Sequence, residues 1–133
     1  MTTNYRDAFI TVSADCAATA GTVPARAGSI AQIQHALLSA RPYGLTSDEL
    51  LFEVHAQRRG LAEGERPAAW AAFFARPQAC LRCSPLVKTF GWGLHHDADG
   101  RVALHGVESA EYAALSRRAD LKIVPGMRSR RSS

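Results

Sequence analysis

The residues Asp97 to Gly100, which separate two short apolar runs, constrain the fold of this chain more than any other stretch. Two carboxylates and a glycine in that position are typical of a β-hairpin turn. In a three-residue loop that ends at Gly100, this glycine takes the left-handed conformation that other residues avoid. The sequence therefore predicts a hairpin of two strands, 92–97 and 101–106.

Alternation of side chains gives the predicted hairpin one apolar and one polar face. The register set by the turn pairs His96 with Val102, and it places one apolar set on a common face: Trp92, Leu94, Val102 and Leu104. The opposite face carries His95 and His105 as diagonal neighbours, within reach of a shared ligand. A slip of one residue would scatter the apolar set, so we expect this register to be kept.

A short helix, 84–90, is predicted directly before the hairpin. Ser84 is a good cap, Pro85 suits the first turn, and Gly91 ends the segment. Helix N-termini attract anions, so this region is our candidate for binding a ligand or phosphate. The residues predicted to make such contacts are Arg82, Ser84, Lys88, Trp92 and Arg101. The simpler alternative is a capped connector without a ligand.

The remaining patterns predict an α+β fold, in which three or four helices pack on a small, mostly antiparallel sheet that contains the 92–97/101–106 hairpin. Apolar residues recur at helical spacing in several capped segments. The predicted helices are 29–40, 47–59, 65–76 and a short one after Ser109, and the predicted outer strands are 9–12 and 121–124. We expect the aromatic residues Trp70, Phe73 and Phe74 in the core. A winged-helix-like arrangement, with 84–90 as the reading helix and the hairpin as its wing, is the alternative.

Length and composition indicate one globular domain, 1–126, followed by a basic tail, 127–133, that we expect to be disordered. The chain has 133 residues, of which 47% are hydrophobic and 21% charged. No apolar run approaches the length of a membrane span, and no signal peptide is recognisable. With three cysteines, an odd number, reduced thiols in a cytoplasmic protein are the expectation.

The net charge of +4 is concentrated near the C-terminus. Residues 117–133 contain six basic side chains and one acidic side chain, a net +5, which leaves −1 for residues 1–116. The high isoelectric point is therefore a property of this end of the chain. It favours unspecific nucleic-acid contact through the tail, and it does not indicate a nucleic-acid-binding body.

The motif Cys80-x-x-Cys83 and the nearby histidines are candidates for chemistry. A CxxC pair suits redox chemistry or metal binding, although one buried and one partly exposed structural thiol are the simplest interpretation. Cys80 with His95 is our candidate catalytic pair. No cofactor is predicted, and a transition metal held by Cys80, His95 and His105 is the alternative, with Asp15 as a further candidate ligand.

The block QACLRCSPLVKTFGWGLH, together with NYRDAFITV, YGLTSDELLFEV and RVALHGVESAEY, resembles a bacterial family known only as a domain of unknown function. Its members have about this length, so the resemblance covers nearly the whole chain. The family pattern has alanine where this chain has Cys83, which counts against a CxxC function shared by the family. The resemblance implies no catalytic residues.

Two functions follow as hypotheses. The first is a small binding or regulatory module that contacts nucleic acid through Arg82, Lys88, Arg101 and the tail. The second is an enzyme or metal-binding protein that uses Cys80 with His95 and His105 beside the hairpin. Substitution of the cations should impair the first, and substitution of Cys80 or His95 the second.

Overall fold

The computed structural model describes residues 2–129, which form four strands, five α-helices and two 3-10 turns. In chain order the elements are β1 (Ala8–Thr11), α1 (Ile30–Ala40), α2 (Ser47–Arg59), a 3-10 turn (Glu63–Glu65), α3 (Arg66–Phe74), a second 3-10 turn (Leu81–Cys83), α4 (Pro85–Lys88), β2 (Trp92–His96), β3 (Val102–Gly106), α5 (Ala110–Leu115) and β4 (Lys122–Pro125).

The strands form one mixed sheet in the order β3-β2-β1-β4. β2 pairs antiparallel with both β3 and β1, whereas β4 runs parallel to β1. The predicted α+β fold with a mostly antiparallel sheet is therefore confirmed. β2 is an interior strand of the sheet, and its hairpin partner β3 forms one edge.

The predicted hairpin and its register are confirmed. His96 pairs with Val102, and Leu94 pairs with Leu104. Gly100 has a φ of 79°, in the left-handed region. The Asp97 carboxylate accepts hydrogen bonds from the backbone amides of Asp99 and Arg101, each at 2.9 Å. These local bonds fix the loop and, through it, the pairing of the two strands.

The predicted apolar face of the hairpin packs against the helices. Leu94 and Val102 are fully buried there, and Trp92 and Leu104 are partly buried against the same cluster. This main core also contains Ile10 and Val124 of the sheet and Leu38, Leu50 and Leu86 of the helices. The other side of the sheet has a smaller cluster, in which Phe9 packs with Leu115, Leu121 and Tyr112.

Side-chain caps fix where the helices begin, as their sequences predict. The Ser29 hydroxyl accepts from the Gln32 amide at the start of α1, and Thr46 with Glu49 forms a capping box on α2. Ser109 caps α5 in the same way. The predicted helix 84–90 is a single turn, because Ser84 caps it and the chain leaves helical geometry at Thr89.

The expectation that Trp70, Phe73 and Phe74 belong to the core is wrong. No residue of α3 is buried, and Trp70 is 39% exposed. Trp70 and Phe73 instead contact Phe52 of α2, and Phe74 contacts both of them, with centroid separations of 4.6–6.1 Å. α3 packs on the outer flank of α2, so its aromatic stripe covers that helix and does not reach the sheet.

The described residues do not adopt the winged-helix alternative. A reading helix must expose a surface to DNA, but α4 is a single turn of four residues, of which Leu86 and Val87 are fully buried. β2 of the supposed wing is enclosed between β3 and β1.

None of the helices between residues 2 and 129 is long and apolar enough to cross a membrane.

The first residues of the predicted tail are hydrogen-bonded to the body of the protein. The Met127 amide donates to the Arg82 carbonyl at 2.8 Å, and the Met127 carbonyl accepts from the Ser13 hydroxyl at 2.5 Å. The Ser129 amide donates to the Asp15 carboxylate at 3.0 Å. Residues 130–133, which carry the last two arginines, lie outside the described residues.

Candidate functional sites

A pocket of about 540 Å³ opens between α1, α2 and the segment 78–85. Its size lies within the range of typical small-ligand pockets, roughly 300–1,000 Å³. Apolar side chains dominate its wall, with a few polar groups among them. The lining residues that matter here are Leu51, Val54, Phe73, Cys80, Cys83 and Ser84.

The polar end of this pocket contains a buried hydrogen bond between α1 and α4. The Ser84 hydroxyl donates to the Gln34 side-chain oxygen at 2.6 Å, and both residues line the pocket. The Ser84 oxygen also accepts from the Leu86 amide at 3.1 Å, which caps α4. Ser84 therefore positions the floor of the pocket as well as the helix start.

The two cysteines of the CxxC motif lie at the wall of the pocket. Both are partly exposed and unbridged. The Cys80 sulfur lies 3.2 Å from the Tyr5 hydroxyl. Burial, followed by this hydrogen bond, raises the pKa of Tyr5 to about 12, so its hydroxyl stays protonated at neutral pH and can donate a hydrogen bond to the sulfur.

The rim of the pocket is cationic. Arg58 and Arg59, in the last turn of α2, line it. Among the described residues that line this pocket, none is an aspartate or a glutamate. An anionic group at the rim would be attracted by two guanidinium groups, and no carboxylate among the described lining residues would repel it.

A second polar cluster lies on the other side of the sheet, where the Tyr43 hydroxyl bridges two histidines. It lies 2.8 Å from Nδ1 of His95 and 3.2 Å from Nε2 of His105. The Tyr43 amide donates to the Val102 carbonyl at 3.0 Å, which holds this residue against the edge strand β3. A phenol donates one hydrogen bond and accepts others, so one imidazole receives the phenolic proton and the other donates its own.

Burial makes this cluster resist ionisation. It lowers the pKa of His95, and the nearby His105 and Arg118 lower it further, against the carboxylates of Asp97 and Asp7. Burial also lowers the pKa of His105 and raises the pKa of Tyr43. Two neutral imidazoles and a neutral phenol are therefore the expected state at neutral pH.

Tyr43→Phe is expected to lower the free energy of unfolding by about 1–2 kcal/mol, because both ring nitrogens lose their partner in a partly buried site. Urea unfolding at neutral pH measures this loss. The control is a double-mutant cycle with His95→Phe. The loss of stability in Tyr43→Phe/His95→Phe should differ strongly from the sum of the losses in the two single variants. Purely additive losses would show that the hydroxyl does not bridge the rings.

The structure separates Cys80 from His95. Side chains alternate across β2, so His95 and His96 point to opposite faces. The Tyr5 ring contacts His96 edge-on, at a centroid separation of 5.4 Å, and the Tyr5 hydroxyl bonds to Cys80. Cys80 is thus on the helical side of the sheet, and His95 is bonded to Tyr43 on the other. The two residues predicted as a catalytic pair are not brought together.

The metal ligands proposed from sequence are divided in the same way. His95 and His105 are neighbours, with ring centroids 6.2 Å apart, but Cys80 lies across the sheet from them. Within residues 2–129, no group of three or more His, Cys, Asp or Glu side chains is arranged to hold a metal ion. Asp15 lies near the C-terminal segment, where it accepts from Ser129.

The five residues predicted to bind a ligand or phosphate have different contacts in the structure. Ser84 lines the pocket. Arg82 donates to the Pro125 carbonyl at 2.7 Å, and the Trp92 indole donates to the Thr22 carbonyl at 2.8 Å. Arg101 bridges to Thr46, and Lys88 ends α4. Arg82 and Trp92 thus hold backbone segments in place, and of the five only Ser84 lines this pocket.

Sequence reasoning missed the residues that complete both sites. Tyr5 and Gln34 partner the predicted Cys80 and Ser84, and Tyr43 joins the two predicted histidines. Gln34 offered one signal, since it is a polar residue on the buried stripe of α1. Tyr43 lies within the break Pro42-Tyr43-Gly44, where only its role as a turn is evident.

The fold and these two sites define a small α+β protein with a four-stranded mixed sheet and a helical-side pocket. A family model described as a family of unknown function, DUF6157, matches residues 1–132, and the chain belongs to that family. The resemblance seen in the sequence is thereby confirmed. No curated protein and no solved structure matches the chain.

Proposed function

We propose that this protein is a binding module for a small amphipathic anion, which occupies the pocket between α1, α2 and the segment 78–85. One observation carries the proposal: an apolar cavity of about 540 Å³ has two arginines and no carboxylate among its described lining residues. A ligand with a hydrocarbon body and one carboxylate or phosphate matches that combination.

The apolar part of such a ligand would contact Leu51, Val54 and Phe73. Burying hydrocarbon there contributes about 25 cal/mol per Å² of apolar surface removed from water. The anionic group would lie at Arg58 and Arg59, which belong to the exposed end of α2. Because exposed ion pairs contribute only about 0.2–1 kcal/mol each, we expect the hydrocarbon to supply affinity and the charge to supply selectivity.

Decanoate is a suitable probe, measured by calorimetric titration alongside decyltrimethylammonium. We expect decanoate to bind and the cationic analogue to bind at least tenfold more weakly, a difference of about 1.4 kcal/mol. The double variant Arg58→Ala/Arg59→Ala should remove most of that preference. Arg26→Ala is the matched control, since Arg26 is exposed and does not line this pocket.

Filling the pocket tests its location. Ala79 is an exposed lining residue, so Ala79→Trp should occupy the cavity without disturbing the core and should abolish decanoate binding. Ala98→Trp, at the exposed hairpin loop, is the control of equal size. Unchanged affinity in Ala79→Trp, or equal affinity for the anion and the cation, would refute the proposal.

Nucleic-acid contact remains a separate prediction, supported by the basic residues of the segment 117–133. Its signature is DNA binding that weakens steeply as salt rises, because phosphate contacts release counterions. Affinity that does not change between low and high salt would contradict it. The engagement of Arg82 with the Pro125 carbonyl makes this residue a weaker phosphate ligand than its sequence indicates.

A further inference from the structure

We propose that Cys80 and Cys83 form a dithiol that undergoes thiol–disulfide exchange with a small anionic disulfide bound in the pocket. This proposal rests on the proposed function in one respect, since the same pocket would admit the disulfide. Two thiols of one turn lie at the wall of one cavity, and neither forms a disulfide in the structure.

The backbone holds the two cysteines in one turn. The Cys83 amide donates to the Cys80 carbonyl at 3.0 Å, so residues 80–83 form a hydrogen-bonded turn that leads into the 3-10 segment Leu81–Cys83. The first and fourth Cα atoms of such a turn lie within about 7 Å. Disulfides span Cα separations of roughly 4.4–6.8 Å, so a bond between Cys80 and Cys83 requires little movement of the chain.

Access and a polar partner favour Cys80 as the attacking thiol. Both cysteines are partly exposed, so a disulfide in the pocket can reach them. The Tyr5 hydroxyl, 3.2 Å from the Cys80 sulfur, can donate a hydrogen bond to it. This contact holds the Cys80 sulfur beside the pocket, and the thiolate form of a cysteine is the nucleophile in exchange reactions.

The reaction has two balanced steps. The Cys80 thiolate attacks one sulfur of R–S–S–R; a Cys80–S–R bond forms, the S–S bond of the substrate breaks, and one R–S⁻ leaves. The Cys83 thiolate then attacks the Cys80 sulfur, forms the Cys80–Cys83 bond and releases the second R–S⁻. Two electrons pass from the protein dithiol to the small disulfide, and the two protons lost by the cysteines protonate the released thiolates.

The charge of the pocket selects the class of disulfide. Arg58 and Arg59 line the same cavity as the two cysteines, so a disulfide that carries carboxylates is attracted to it. Oxidised glutathione is such a molecule, and hydroxyethyl disulfide is a neutral counterpart. We expect the anionic reagent to lose about three- to tenfold in rate in the variant Arg58→Ala/Arg59→Ala, and the neutral reagent to be unaffected.

The test treats the reduced, full-length protein with oxidised glutathione and follows it by intact-mass spectrometry and peptide mapping. We expect one intramolecular disulfide that links Cys80 and Cys83. Cys83→Ser should instead accumulate a glutathione adduct on Cys80, because the second step is lost, and Cys83→Ala repeats the measurement with a second side chain. Cys16→Ser, which alters the remaining thiol of the chain, should still form the Cys80–Cys83 bond.

Three thiols that stay reduced, or equal adducts on all three cysteines without a Cys80–Cys83 bond, would overturn the inference. Decanoate binding separates this failure from failure of the proposed function. If decanoate binds and no disulfide forms, the dithiol inference is wrong and the binding proposal stands. If the disulfide forms in a protein that does not bind decanoate, the dithiol inference stands and the binding proposal is wrong.

Discussion

Acidification from pH 7 to pH 4 is expected to lower the free energy of unfolding by about 3 kcal/mol through His96 alone. Burial lowers the pKa of His96 from 6.5 to about 4 in the folded protein. Between these two values the unfolded chain binds a proton that the folded protein does not. The stabilisation is therefore complete above the unfolded pKa and is lost as the pH falls through the folded one.

The surroundings of His96 explain why the folded protein excludes the proton. The residue is fully buried on the helical side of β2. Its Nδ1 atom bonds to the Leu94 carbonyl at 3.3 Å, and its Nε2 atom has no hydrogen-bond partner within the described residues. Burial is the main reason that the pKa of His96 is low; the bond to the Leu94 carbonyl and the Asp97 carboxylate raise this pKa only in part, and the neighbouring His95 lowers it further.

Urea unfolding of the parent protein and of His96→Leu, at pH 7 and at pH 4, measures the effect. At pH 7 the variant should be about as stable as the parent, since leucine removes a buried polar atom that lacks a partner. At pH 4 the variant should be clearly more stable. Burial also lowers the pKa values of His35, His95 and His105, so some acid sensitivity remains in both proteins. An equal loss in the two would contradict the assignment to His96.

The hairpin could be predicted from sequence because its determinants are local. The Asp97 carboxylate accepts hydrogen bonds from loop amides up to four residues later, and Gly100 takes the left-handed conformation that the turn needs. The loop in turn fixes the pairing of the two strands. The helix starts at Ser29 and Thr46 were predictable for the same reason, since each cap contacts a residue three positions later. Such contacts depend on short-range geometry, which the chain itself encodes.

The pocket could not be predicted, because its parts come from distant segments. The bond between Gln34 and Ser84 joins residues 50 positions apart, and the bond between Tyr5 and Cys80 joins residues 75 positions apart. Helical periodicity identifies an apolar stripe, as on α3, but it does not show which element the stripe will cover. Tyr43, which forms the bridge to the two histidines, has a positive φ of 55°, which is unusual for a tyrosine.

Gly91→Ala is expected to lower the free energy of unfolding by about 2–4 kcal/mol. Gly91 has a φ of 80°, and a left-handed conformation costs a residue with a Cβ roughly 1–2 kcal/mol. An added Cβ would also lie 2.5 Å from the Ala20 carbonyl oxygen and 3.0 Å from the Ala18 Cβ. Overpacking of that kind costs about 1–3 kcal/mol, and the reduced entropy of the unfolded chain offsets about 0.4–1 kcal/mol.

The reason for the close approach is the path of the chain before α1. Its backbone is hydrogen-bonded to the segment just before β2, where the Thr22 amide donates to the Phe90 carbonyl at 2.8 Å. The Gly91 carbonyl accepts from the Val107 amide at 2.9 Å on its other side. The backbone around Gly91 is therefore held from two directions and cannot move away from a new methyl group without breaking these bonds.

Gly28→Ala is the matched control, because Gly28 has a φ of 77° and an added Cβ there would have no atom within 4 Å. It carries the conformational cost without the steric one, so its loss should be about 1 kcal/mol or less. Urea unfolding of the two variants, at equal pH and ionic strength, isolates the contact with Ala20. If both variants lose the same free energy of unfolding, the close contact between Ala20 and Gly91 adds nothing to the cost of the substitution. A larger loss in Gly91→Ala establishes that this contact fixes the loop against the hairpin.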